Sequence, residues 1–411
     1  MTATQAPQAR VGGMGLLIGS KFASTVAYAT SWVLLPLYVY QASGSAFLTA
    51  LASAANVLPF LLFGLLAGAA VDRSSPVRVM AWTEVANAAV LLCVPLLAAT
   101  VGAGPIVLCA IGFASATAYV WFDVASAALV PALAGTDGVF RANSYLWMTT
   151  TVLTAVAAPV GYFLLDALRL GPTFGVLAAC YLVSAVLIAA IRPRPDTAGP
   201  TRPEPGAVWA GVKYLAAHPL LRTYTTVNVG VGVSAGAVYG MMVVFASRAL
   251  GLPSDDYRVA WIVAASGVGA LLGAIAARRF KNVPPIPAAR WMTGLDLALL
   301  LAYAAAPSWQ LAAALLLCWN TVHTCFLVVG ISVRQTVTPQ RLQGRVNAIG
   351  RMIVWGSVPL GTLLCGALTE VAGPRWALAA LGAFALASLV TALRAPSALT
   401  MEKPPLQKAE T

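Results

Sequence analysis

The sequence predicts an all-α membrane protein of twelve transmembrane helices in two similar six-helix bundles, and three observations carry that expectation. Only 9% of its 411 residues are charged while 60% are apolar, whereas an ordinary soluble domain carries about 25% charged residues. The apolar residues fall in blocks of about 18 to 28, the length a helix needs to cross about 30 Å of hydrocarbon. The second half of the chain repeats features of the first in the same order.

In chain order the expected spans are 13–40, 46–71, 79–100, 105–131, 143–166 and 172–191, then 222–248, 257–277, 288–306, 309–333, 346–369 and 375–394. Each is read as a helix because hydrocarbon offers no partner for an unpaired backbone group. The first apolar run is too long for a cleavable signal peptide and has Lys21 inside it, so it is expected to remain as a helix. Between the sixth and seventh spans, RPRPDTAGPTRPEP is Pro-rich and polar, the composition of a flexible linker. After it, AVWAGVKYLAAHPLL forms an amphipathic surface helix with Trp209 and Tyr214 as interfacial anchors. The predicted organisation is therefore an N-terminal bundle over 1–191, a linker with its helix over 192–221, a C-terminal bundle over 222–394 and a tail over 395–411.

Placing both termini and every second loop on one side collects 20 of the 25 Lys and Arg residues there. Only Arg169, Arg248, Arg258 and Arg375 fall on the other side, with Lys21 inside the membrane. That bias predicts cytoplasmic termini. The net charge of +12 then reflects topology and anionic lipid, with no nucleic-acid partner. All six cysteines lie in apolar spans without a CxxC, which excludes a metal or redox motif and leaves them as small hydrophobes.

The halves correspond at four places. Gly64-LLA-Gly68-AAV-Asp72-Arg73 recurs as Gly269-ALL-Gly273-AIA-Ala277-Arg278, and Arg78-x-Met80 leading to Glu84 recurs as Arg290-x-Met292 leading to Asp296. Arg141-x-Asn143 recurs as Arg345-x-Asn347, and Pro159-x-Gly161 as Pro359-x-Gly361. An internal duplication of this kind suits alternating access, in which two rigid bundles rock about a central site.

The stretch GLLAGAAVDRSSPVR, from Gly64 to Arg78, resembles the cytoplasmic loop signature of the major facilitator superfamily. RQTVTPQRLQGRVNAIGRMIVWGSVPLG, from Arg334 to Gly361, resembles the branch that includes macrolide and siderophore exporters and other drug:proton antiporters. Three places depart from the pattern: Ser75, Pro76 and Val77 replace the usual Gly and basic pair, Ala158-Pro159-Val160-Gly161 is a degraded antiporter motif, and the first span lacks the branch's acidic residue and has Lys21 nearby. The resemblance implies the major facilitator fold in a bacterial inner (plasma) membrane, and export of a hydrophobic drug or natural product against proton entry by a monomer. It also implies that the first and fourth helices line one cavity wall and that the third and ninth lie outside. Import or lipid flipping on the same scaffold is the alternative; a non-transporting sensor lacks the soluble domain it would need.

Ionisable groups inside hydrocarbon are costly and mark function by default. Lys21 and Asp123 both lie roughly 12 to 13 Å deep, counted at 1.5 Å per residue, and are expected to form a charge pair that is either the proton-coupling site or a permanent structural ion pair. Ser24, Tyr28 and Trp32 follow Lys21 on one helical face, and Tyr119 and Phe122 accompany Asp123. With Trp147, Tyr239 and Trp319 these aromatic groups suit stacking on a flat organic substrate. His323, with Asn320 on its face, is either a proton carrier or substrate ligand, or a buried neutral histidine bonded to a neighbour. Asn228 is either a cavity hydrogen-bonder or a helix-helix clasp. Glu84 and Asp296 are repeat equivalents near Arg78 and Arg290, read as either a second proton site or, the expected reading, structural anchors of the cytoplasmic loops. Gly68, Asp72, Arg73, Arg78 and Arg345 are expected to form a conformational latch, in which Asp72 meets the start of the eleventh span. There is no Gly-x-x-x-x-Gly-Lys-Ser/Thr loop, so the expected driving force is a proton gradient with no cofactor. Enzyme chemistry is not expected, because no nucleophile-base set or metal cluster occurs.

Overall fold

The computed structural model describes residues 11–71, 73–100, 104–191, 207–254, 256–280, 283–397 and 399. Among these, α1 (Val11–Ser43), α2 (Ala46–Val71), α3 (Pro76–Thr100), α4 (Pro105–Leu168) and α5 (Leu170–Ala189) precede the linker. The short α6 (Ala207–Ala217) follows it, then α7 (Pro219–Arg248), α8 (Tyr257–Ala276), α9 (Pro285–Ala305), α10 (Trp309–Val337), α11 (Gln340–Ala372) and α12 (Pro374–Arg394). Eleven stretches in these helices are long and apolar enough to span a membrane, so this is a multi-pass membrane protein.

Two features differ from the sequence expectation. The loop placed at 132–142 is helical, and α4 runs for 64 residues through Pro131 and Pro159. It still contains two separate candidate spans, Pro105–Ala134 and Met148–Leu168, as the expected fourth and fifth spans require. No proline falls within 132–142, so no residue there removes a backbone donor and the helical turns continue. The second difference is α9, which covers the expected ninth span over 21 residues but is absent from the eleven apolar candidates. Arg290 and Asp296 lie within it and lower its apolarity.

Backbone chemistry places the breaks. Gly373 has φ 81° and serves both as C-cap of α11 and as N-cap of α12, with Pro374 immediately after it. A left-handed residue ends a helix and a proline suits the first turn of the next. Asp256 accepts from the Arg258 backbone N–H at 2.8 Å to cap α8, and Ser308 caps α10 through the Leu311 N–H at 3.4 Å.

The chain forms two compact units. Unit 1 comprises Met1–Leu34, Leu62–Ala103 and Ala110–Arg202, and unit 2 comprises Leu35–Leu61, Gly104–Cys109 and Pro203–Thr411. In unit 1, α3 packs along α5. In unit 2, α7 is a central helix flanked by α11 and α12, while α8 lies against α10 and α9 against α10 and α12. Close approach of these helices needs glycine. A methyl group at Gly236 would strike the Val358 carbonyl and one at Gly361 the Val233 carbonyl, while Gly269 and Gly273 sit against the Leu317 and Thr321 carbonyls. Small residues at four-residue spacing are what lets membrane helices pack backbone to backbone.

The far ends of α1 and α2 belong to unit 2 and are tied into it. Glu370 on α11 accepts from Ser45 Oγ at 2.9 Å and from the Phe47 N–H at 3.2 Å, while its other oxygen accepts from Arg248 at 3.0 Å. Arg248 also donates to the Gly44 carbonyl at 2.6 Å. On the linker side, α6 packs on α11, and Tyr214 donates to the Val337 carbonyl at 2.8 Å. Trp209 is exposed, as an interfacial anchor should be.

Candidate functional site

In unit 1 the polar faces of α1, α3, α4 and α5 meet. Lys21 donates to Asp123 Oδ1 at 2.5 Å, joining α1 to α4. Ser24, one turn further along α1, donates to Glu84 Oε1 at 2.9 Å. Ser20 and Ser184 hydroxyls lie 2.8 Å apart, which brings α5 to the same cluster. The spacing 20, 21, 24, 28 on α1 makes this convergence follow from sequence, since residues three and four apart share a helical face.

Aromatic rings surround the pair. The Lys21 ammonium lies 5.3 Å from the Tyr119 ring centroid and 5.1 Å from that of Phe122, within cation–π range. Tyr28 stacks on Tyr119 with centroids 3.7 Å apart, and Trp32 meets Tyr28 edge-on at 5.6 Å. Exposure is asymmetric: the Lys21 side chain is 5% exposed and that of Asp123 36%. The carboxylate is thus the more open member of the pair. An uncompensated buried charge is expensive, so any event that neutralises Asp123 must be felt by Lys21.

Unit 2 holds a second buried polar group. Asn320 on α10 donates to the Ser266 carbonyl and hydroxyl on α8, both at 2.7 Å, and accepts from the Tyr239 hydroxyl of α7 at 2.7 Å. One turn along, His323 stacks on Trp319 with centroids 4.8 Å apart, and its Nδ1 lies 3.4 Å from Asp296 Oδ1 on α9.

These positions refine several sequence expectations. Glu84 and Asp296 do not face Arg78 and Arg290: Glu84 is buried against Ser24, and Asp296 against His323. Arg78 is exposed, and Arg290 donates to the Ala392, Leu393 and Ala395 carbonyls, neutralising the carboxyl end of α12. Of the residues expected on a cavity wall, Ser24, Tyr28, Tyr119 and Phe122 are buried in unit 1 and Asn228, Trp319, Asn320 and His323 in unit 2, whereas Trp32 and Tyr239 keep part of their surface open. Asn228 donates to the Tyr224 carbonyl four residues back at 2.7 Å, a local bond within α7. Of the expected latch, Gly68 has open space beside it, Arg73 is exposed, and Arg345 lies beside Gly211 of α6. Asp72 and the side chain of Trp147 lie outside the described residues.

Sequence reasoning missed Ser20, Ser184 and the Glu84–Ser24 contact. The available signal was Glu84 and Asn87 three residues apart on α3, both polar in an apolar span and both buried.

Comparison with known proteins gives three findings. The family model described as Major Facilitator Superfamily matches residues 17–356. A curated relative, the multidrug efflux pump Tap of Mycolicibacterium fortuitum, is 25% identical over 352 residues, covering 83% of this chain and 85% of its own. Among solved structures, a bacterial homologue of the human lysosomal transporter Spinster, inward-facing and unoccupied, superposes with a TM-score of 0.77 at 14% identity, covering 96% of this chain and 99% of that one. The nucleoside transporter NupG superposes at 0.76 and 11% identity, covering 92% and 98%. At these identities the solved structures establish the fold alone.

Proposed function

The chain belongs to the major facilitator superfamily of membrane transporters, and from that premise we propose that it exports a hydrophobic small organic molecule in exchange for protons. The observation that carries this reading is the Lys21–Asp123 pair, whose lysine is buried and whose carboxylate is open. In this mechanism a proton reaching Asp123 releases Lys21, and loss of that proton re-forms the pair. Substrate competes with the proton at the same carboxylate, so each half-cycle carries one or the other. Trp32, only partly buried and edge-on to Tyr28, supplies an aromatic face near the charge, which suits an aromatic or cationic-aromatic substrate. The drug-efflux name of the Mycolicibacterium relative supports the export direction. A multi-pass chain with this charge bias is expected in the plasma membrane with both termini in the cytoplasm, working as a monomer on the proton gradient with no bound cofactor.

The test is expression in an efflux-deficient bacterium, followed by susceptibility and accumulation measurements over a panel of dyes and antibiotics, with and without a protonophore. Export predicts lower accumulation of at least one compound and loss of that effect with the protonophore or with Asp123→Asn. Raised accumulation on expression would instead identify an importer.

A further inference from the structure

We propose that Asp296 and His323 form a second proton-binding site, contained within unit 2 and independent of Lys21–Asp123. The argument starts from burial: the Asp296 and His323 side chains are 3% and 4% exposed, and among the described residues neither Asp296 oxygen nor His323 Nδ1 has a hydrogen-bond partner. An isolated carboxylate in such a place costs far more than a fold can spare, so it is either protonated or compensated by a cation. Among the described residues the group poised to compensate is the imidazole, with Nδ1 3.4 Å from Oδ1. Both solutions, a neutral carboxylic acid beside imidazole or a carboxylate beside imidazolium, contain one proton more than carboxylate and neutral imidazole together. The pair as built therefore holds that proton.

The neighbouring elements leave the proton little else to answer to. From α7, Tyr239 approaches the imidazole edge-on at 6.1 Å, but its hydroxyl is engaged by Asn320. From α8, the facing group is Ser266, also held by Asn320. On α9 itself, Arg290 is spent on the end of α12, and Tyr303, two turns beyond Asp296, packs on Phe245 at 4.6 Å. From α12, Gly382 meets the leucines of α9, and Arg375 is directed to the Ala304 and Ala249 carbonyls. On α10, the remaining neighbour is the Trp319 ring that clamps the imidazole.

Tyr239 is 38% exposed, meets Trp319 and His323 edge-on and has its hydroxyl held by Asn320. If its hydroxyl turns from Asn320 toward the carboxylate, it supplies the hydrogen bond that a deprotonated Asp296 lacks. Proton loss is then linked to a rearrangement of the junction between α7, α8 and α10. This gives the second unit a titratable element of its own, so a transport cycle carries protons at two places.

The chain contains only two histidines, His218 and His323, which makes the test direct. Full-length protein labelled with 15N-histidine and reconstituted in liposomes is titrated from about pH 5 to pH 8, the range in which imidazole ordinarily changes charge, with His218→Gln used for assignment. The expected result is a protonation change at His323 whose midpoint falls by about one pH unit or more in Asp296→Asn, since removing the anion disfavours imidazolium. Tyr239→Phe, which keeps the ring, moves the same midpoint if Asp296→Asn fails to fold. A His323 signal fixed in one state across the range, or a midpoint unmoved by the folded Asp296→Asn or Tyr239→Phe variant, overturns the proposal. No substrate is needed, so this outcome is separate from success or failure of the drug-antiport reading.

Discussion

Glu84 and Asp296 each follow an Arg-x-Met at the same distance in the two halves of the sequence, and both are buried, yet their surroundings differ. Glu84 accepts from a serine in a cluster that already contains a fixed cation, Lys21. Asp296 faces an imidazole, a partner whose charge depends on its proton. The sequence pattern sets a carboxylate at the same distance from Arg-x-Met on α3 and α9, while the partner comes from α1 in one case and from α10 in the other. The two carboxylates therefore share a place in the sequence pattern but have different partners in space, a serine for Glu84 and an imidazole for Asp296.

The largest expected effect comes from removing the permanent cation. Lys21→Ala leaves Asp123 without its partner and should lower stability by up to about 3 kcal/mol, the lower end of what breaking a buried pair costs, because the open carboxylate can take up a proton instead. Thermal unfolding of detergent-purified protein at two pH values measures this, and a smaller loss at acidic pH is expected. Equal losses at both would mean that Asp123 does not neutralise.

A second contrast lies in the repeated glycines. Gly273→Leu drives a side chain into the Thr321 carbonyl of α10, whereas at the equivalent Gly68 nothing lies within reach. Gly273→Leu should therefore cost about 1 to 3 kcal/mol from overpacking, and Gly68→Leu should leave the melting temperature nearly unchanged while slowing transport, if that face of α2 is used in another state of the cycle. A melting temperature for Gly68→Leu as low as for Gly273→Leu would show that the open face is occupied in solution.

The smaller effects concern the clasp and the third-helix carboxylate. Glu370→Gln keeps the hydrogen bonds from Ser45 and Phe47 but weakens the partly exposed pair with Arg248, for which about 1 kcal/mol or less is expected; its readout is a faster exchange of amide hydrogens at the start of α2. Glu84→Gln retains the Ser24 bond, so a stability change of about 1 kcal/mol or less is expected. A large drop in folded yield for Glu84→Gln would restore the loop-anchoring role expected from sequence.

The fold was legible because the bilayer imposes length and apolarity on every span, and those are one-dimensional properties. Lys21 and Asp123 were legible as a pair because depth along a helix follows from counting residues, and the structure brings the two groups into contact. The partners of Glu84 and Asp296 were not legible, since in the sequence their nearest charges are Arg78 and Arg290 on the same helices, while in space the closer groups come from α1 and α10. The continuous helix through 132–142 escaped for a related reason: a loop is expected where apolarity falls between two spans, and a fall in apolarity does not by itself end a helix.

The central claim is that Asp123 exchanges a proton against substrate while Lys21 supplies the opposing charge. It is tested most directly by pH-jump-driven transport in liposomes, using a compound selected by the susceptibility panel, for wild type, Asp123→Asn, Lys21→Ala and the Lys21→Ala, Asp123→Ala double variant. The account predicts that Asp123→Asn binds substrate but shows no transport driven by the pH gradient, and that the double variant regains folded protein without regaining coupled transport, because the charge cost and the switch disappear together. Full proton-driven transport by the double variant would contradict it and reduce the pair to scaffolding.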